Sequence, residues 1–122
     1  MTNLRIVRGQ RNIITLPVTM PIPGAIDWHT SWLQFEMIVP GTSPPEVVVS
    51  KSTRATPSDI VLFHNHLVRI TLDPADTRRV PPDVTGLDWK LELHLGDFNA
   101  YVLAEGPVGF EAAYSRTVHE SG

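Results

Sequence analysis

Three stretches of this chain alternate apolar and polar residues with a period of two, and that period constrains the fold more than any other feature. In residues 89–95, Trp89, Leu91, Leu93 and Leu95 fall on one side and Lys90, Glu92 and His94 on the other. Residues 32–39 repeat the pattern, with Leu33, Phe35, Met37 and Val39 opposite Gln34 and Glu36. In residues 67–72, Val68, Ile70 and Leu72 oppose Arg69 and Thr71. A strand buried on one face and wet on the other reads this way, and such strands belong to antiparallel sheets.

Weaker strand signals fill the intervals. Residues 13–20 are β-rich but contain Pro17, which places them on a sheet edge or splits them at a bulge. Residues 46–52 carry Val47, Val48 and Val49, favourable in strands. Residues 59–63 are a short apolar run, and residues 101–104 and 108–114 flank a turn-like Glu105-Gly106-Pro107. Gly96-Asp97-Phe98-Asn99 has hairpin chemistry, because Gly and Asn tolerate positive φ. Helix signals concentrate in residues 73–80, where Asp73 can cap, Pro74 suits the first helical position and Pro81 and Pro82 end the turn. About eight strands and one stub of helix predict an all-β, immunoglobulin-like antiparallel sandwich, with a closed barrel as the competing architecture.

A chain of 122 residues is expected to form one domain, 1–122, with 118–122 a frayed tail. Its 42% hydrophobic and 19% charged residues suit a packed core. No apolar run reaches the roughly 18 residues of a membrane helix, and the first nine residues carry no secretory h-region, so neither a membrane protein nor a secreted one is expected. A net charge of −3 disfavours a nucleic-acid partner. Without cysteine there are no disulfides, thiol nucleophiles or cysteine-bound zinc.

Candidate chemistry is sparse. His64-Asn65-His66 spaces two histidines as a strand-borne metal pair would, but it lies between two apolar runs and reads better as a polar turn, so no metal is expected. Glu92, Asp97, Glu105 and Glu111 could supply paired carboxylates, yet Glu92 and Glu111 fall at solvent-facing strand positions. No nucleophile elbow or phosphate loop occurs, and neither a catalytic residue nor a cofactor is assigned. Arg78 and Arg79, with Arg54 and Arg69, read as a solvated patch or an inter-subunit salt bridge.

The binding candidates are aromatic. Trp28 and His29 sit in the proline-rich loop 21–31; Trp28 could stack on a sugar, insert into a partner or cap an open end of the sandwich. Trp32 takes the outward register if Leu33 points inward, which suggests a contact surface. Trp89, on an apolar strand face, is assigned to the core.

The order of elements resembles a small β-sandwich domain of tailed-phage virion proteins, similar to the N-terminal domain of baseplate upper proteins and related tail or fibre proteins. The resemblance spans roughly residues 4–118. It rests on the Arg8-Gly9 turn, the alternating strand 32–39, the helical turn Leu72-Asp73-Pro74-Ala75-Asp76-Thr77 and the tryptophan-led strand 87–93. It continues through Gly96-Asp97, the strands 101–106 and 108–113, and Arg116-Thr117. The loop 21–31 is richer in proline than that pattern, and no Asp-Leu-Thr-Gly follows the second strand. The resemblance implies a non-enzymatic structural protein of a phage or prophage virion, assembled in the host cytoplasm. Its partners would be other virion proteins and copies of itself. A small carbohydrate-binding module for host-surface recognition is the alternative, and a compact virion hydrolase a third.

Overall fold

The computed structural model describes residues 4–20, 26–41, 46–54, 58–63, 66–80, 86–96 and 99–112, with the side chains of 111 and 112 excepted. Within them lie eight strands and one helix: β1 (Leu4–Arg8), β2 (Asn12–Pro17), β3 (Ser31–Val39), β4 (Glu46–Ser52), β5 (Ile60–Phe63), β6 (Leu67–Leu72), α1 (Pro74–Arg78), β7 (Gly86–Leu95) and β8 (Asn99–Ala112).

The period-two faces become the two inner faces of a sandwich. A five-stranded sheet in the order β1-β8-β7-β3-β4 packs on a three-stranded sheet in the order β2-β6-β5. From the first come Leu33, Phe35, Met37, Leu87, Trp89, Leu91 and Leu93; from the second come Ile14, Leu16, Ile60, Val68, Ile70 and Leu72, all buried. Phe35 and Trp89 stack with ring centres 6.1 Å apart, joining β3 to β7 at the middle of the core. In immunoglobulin domains a disulfide between the sheets occupies the core centre beside a tryptophan. Here packed aromatic and aliphatic side chains fill that centre.

Strand order makes the sandwich immunoglobulin-like. In the lettering of those domains, β2, β6 and β5 are B, E and D, while β3, β7 and β8 are C, F and G; β4 is the extra C′ strand of variable-type domains. The first strand departs from the expected antiparallel pattern, because β1 pairs in parallel with β8, Leu4 opposite Val108 through Arg8 opposite Ala112. The turn at Gly9 (φ 79°) sends the chain from β1 into the other sheet. With β2 in that other sheet, β1 is left to pair at the β8 edge. Asn12 closes this corner by accepting the Val7 N–H at 2.9 Å and donating to the Val7 carbonyl at 3.0 Å.

A second expectation is corrected at Glu105-Gly106-Pro107. These residues are no turn; they lie inside the 14-residue strand β8. Trp89 faces Gly106 and Asp88 faces Pro107 in an unbroken run of pairs. Proline is tolerated there because the pairing with β1 begins only at Val108, so at Pro107 one side of β8 needs no N–H for a β1 bond. The register of β8 shifts between Leu91 and Glu92, leaving Leu103 as an extra residue. Pro17 sits where its missing N–H matters least, at the end of the edge strand β2, and β2 is not split.

Helix α1 takes the expected place. Pro74 opens it, and Asp76 Oδ2 accepts the Asp73 N–H at 2.7 Å, bridging back over the first turn. The same Asp76 carboxylate holds Lys51 Nζ at 2.8 Å, as does Asp59. This three-residue bridge ties the edge strand β4 of one sheet to α1 and to the lead-in of β5 in the other. The tail from 118 onward, the metal-spaced His64-Asn65, Asp97, Phe98, Pro81 and Pro82 lie outside the described residues. So do residues 113 and 114 of the expected last strand, and Arg116 and Thr117. Among the described residues no helix is long and apolar enough to cross a membrane.

Candidate functional site: an aromatic cleft at one end of the sandwich

At the end of the sandwich where β3 starts and β7 finishes, the chain leaves an open cleft of about 750 Å³. Three segments shape it. The first is the turn ahead of β3, where Asp27 Oδ1 accepts the His29 N–H at 3.0 Å and the Asp27 carbonyl accepts the Thr30 N–H at 3.2 Å. An aspartate side chain bonding two residues on is the usual device for holding such a turn. It presents Trp28 and His29 outward, with Trp28 40% exposed. The second is the end of β7, joined to this turn by the Gly96 N–H donating to the Thr30 carbonyl at 3.0 Å. The third follows β4: the Thr53 N–H donates to the Leu33 carbonyl at 3.1 Å, and Thr53 Oγ1 accepts the Leu33 N–H at 3.0 Å. Leu62 of β5 completes the lining from the opposite sheet.

All three binding candidates of the sequence, Trp28, His29 and Trp32, line this one cleft. Trp32 has the outward register, since Leu33 is fully buried. It is not a bare platform, however. His94, directly opposite on β7, stacks on its ring at 4.7 Å and 5° between planes. From the β4 side of β3, the Arg54 guanidinium lies 4.5 Å from the ring centre. With a neighbour from each flanking strand, the indole offers its edge more than a face. Trp28 is the aromatic left open.

Arg54 is the residue that sequence reasoning misplaced. The sequence groups it with Arg69, Arg78 and Arg79, and the fold places them on different elements. Arg54 covers Trp32 on the outer face of the larger sheet, Arg69 covers Phe63 at 5.1 Å on the outer face of the smaller one, and Arg78 and Arg79 close α1. No local signal joins Arg54 to Trp32, which lies 22 residues earlier; the β3–β4 register brings them together. Glu92 does not stand free in solvent. It is half-buried between Lys90 at 3.3 Å and His94 at 3.1 Å, a structural use of its charge. Among the described residues no three His, Asp or Glu side chains gather as a metal would require.

Fold and site together define a small immunoglobulin-like sandwich with an aromatic cleft at one end. No family model matches the chain, and no curated protein does. Among solved structures it is similar to the extracellular domain of the voltage-gated sodium channel beta4 subunit, whose parallel homodimers are described as explaining a role in cell-cell adhesion. Identity is 12%, the TM-score 0.39, and the match covers 91% of this chain and 89% of that one. This similarity adds nothing to the strand order already described.

Proposed function

We propose that this chain is a non-enzymatic structural domain that works through protein–protein contacts. In the setting that its sequence resemblance implies, it joins tail, baseplate or fibre components of a phage or prophage particle. The observation that carries this reading is the open edge of β8. Among the described residues β1 accompanies β8 only from Val108 to Ala112, so Asn99–Pro107 pairs with β7 on one side and with no strand on the other. Tyr101 lies opposite Leu93, a core residue, yet is 38% exposed, and no described strand covers that edge. Val102, opposite Glu92, is 50% exposed on the other face. An uncovered edge with apolar residues on both faces suits strand addition by a partner or a second copy.

Light scattering on the purified chain, alone and mixed with its neighbouring particle components, tests this. Assembly is expected for the wild type and is expected to fail for Val102→Lys, because a charge on an edge blocks pairing. A wild type that stays monomeric and captures no particle component removes the reading. Imaging the parent particle is expected to place the chain's density among its tail, baseplate or fibre components.

The cleft favours a second reading, a carbohydrate-binding module, through the open face of Trp28. A glycan array with no hit, or unchanged binding by Trp28→Ala, removes it.

A further inference from the structure

Among the described residues the cleft carries the positive charge of Arg54 and no carboxylate to balance it. The Arg54 guanidinium is held against Trp32, and the Arg54 N–H donates to Ser52 Oγ at 3.0 Å, fixing the backbone beneath it. Among the described residues no carboxylate pairs with it. The described acids nearby are engaged: Asp59 and Asp76 by Lys51, Glu92 by Lys90 and His94, and Asp27 by the His29 N–H. A guanidinium stacked on an indole keeps its forked donors free for a planar anion. Among the described residues no Asp, Glu, Asn or Gln lines the cleft. Of its threonine hydroxyls, Thr53 Oγ1 accepts the Leu33 N–H and Thr30 Oγ1 donates to the Asp27 carbonyl. Beside this donor-rich wall lie the half-buried Leu62 and the open Trp28.

A ligand that fits is therefore acceptor-rich and negative at one end and apolar beside it. A carboxylate only accepts, and it matches the Arg54 fork more fully than sugar hydroxyls, which donate as well as accept. We propose that the cleft receives a carboxylate of a partner protein's peptide segment. Arg54 takes the carboxylate, and Trp28 and Leu62 hold the apolar side chain next to it. The inference rests on reading the chain as a contact domain and names the chemistry of one of its contacts.

The carboxylate can be a chain terminus or an acidic side chain, and one titration distinguishes them. Intrinsic tryptophan fluorescence of the full chain is followed against three probes: N-acetyl-Leu-Phe as the free acid, the same dipeptide as its amide, and N-acetyl-Glu-Phe-amide. Saturable binding of one or both acids, with the neutral amide silent, is expected. Binding of the first alone assigns a terminus; binding of the glutamyl probe assigns a side chain. Arg54→Gln, its fold checked by circular dichroism, is expected to weaken binding about tenfold or more, the scale of losing a charge-assisted hydrogen bond. Trp28→Ala, read by calorimetry, is expected to weaken it as well. Equal binding of the amide, an unchanged Arg54→Gln, silence of all probes into the millimolar range, or binding of an oligosaccharide in their place overturns the proposal. Assembly through the β8 edge is measured separately, so its persistence alongside silent probes sinks this inference alone.

Discussion

Gly9 holds φ at +79° in the turn between the two sheets, and its N–H donates to Thr77 Oγ1 at 2.8 Å. Thr77 is fully buried and its hydroxyl donates to the Pro74 carbonyl at 3.2 Å. One hydroxyl thus seats the first corner of the chain on α1, helped by Arg8 Nη1 donating to the Val80 carbonyl at 2.6 Å. Gly9→Ala has room for its methyl but must adopt a left-handed backbone, a loss of roughly 1–2 kcal/mol in urea unfolding. Thr77→Val keeps the shape and strands the Gly9 N–H, a loss of about 1–3 kcal/mol by the same measurement. Lys51 gives a pH signature. Burial lowers its pKa, but the hydrogen bonds and charges of Asp59 and Asp76 outweigh that and leave it above the ordinary 10.5. A pKa raised by folding stabilises fully below the unfolded value and is lost as pH climbs through the folded one. Stability is therefore expected to fall as the pH rises beyond that of an ordinary lysine. Lys51→Met is expected to flatten this alkaline slope in melts across that range.

Among the elements, β3 and β7 form the spine. They pair from Ser31 opposite Leu95 to Ile38 opposite Asp88, and their inner faces supply the largest buried side chains. Removing the Phe35 ring opens a cavity against Trp89 that rigid neighbouring strands cannot close. Phe35→Ala is expected to cost about 3–5 kcal/mol in denaturant unfolding. Helix α1, only five residues long, depends on what holds it. Asp76 serves it twice, closing the first turn and anchoring Lys51. Asp76→Asn retains an acceptor for the Asp73 N–H and loses the charge, whereas Asp76→Ala loses both. Alanine is expected to be the more damaging, by about 1 kcal/mol, in the same unfolding experiment.

For the whole molecule, the two candidate surfaces lie on different elements. The β8 edge carries Tyr101 and Val102, while the cleft draws on the turn before β3, the start of β3, the end of β7, the segment after β4, and β5. Their effects are expected to separate. Val102→Lys should abolish assembly in light scattering and leave peptide binding in the cleft intact. Trp28→Ala should weaken peptide binding and leave assembly intact. Neither substitution enters the core, so melting temperatures are expected to stay close to the wild type.

How much of this was legible in the chain follows from the range of each interaction. The faces of β3, β6 and β7, the inward Trp89, the outward Trp32 and the Pro74 start of α1 could be read directly, because period and capping are local properties. Glu105-Gly106-Pro107 misled for the same reason: its turn chemistry is genuine, and long-range pairing with β7 overrides it. The parallel partner of β1, the Lys51 bridge to Asp59 and Asp76, and the placing of Arg54 on Trp32 needed the tertiary structure. Sequence by itself determined which side of β3, β6 and β7 is buried, since burial there follows from alternation along a single strand. Only the folded chain decided which strands neighbour one another, and so which charges and rings meet, since that depends on register between segments far apart in the chain.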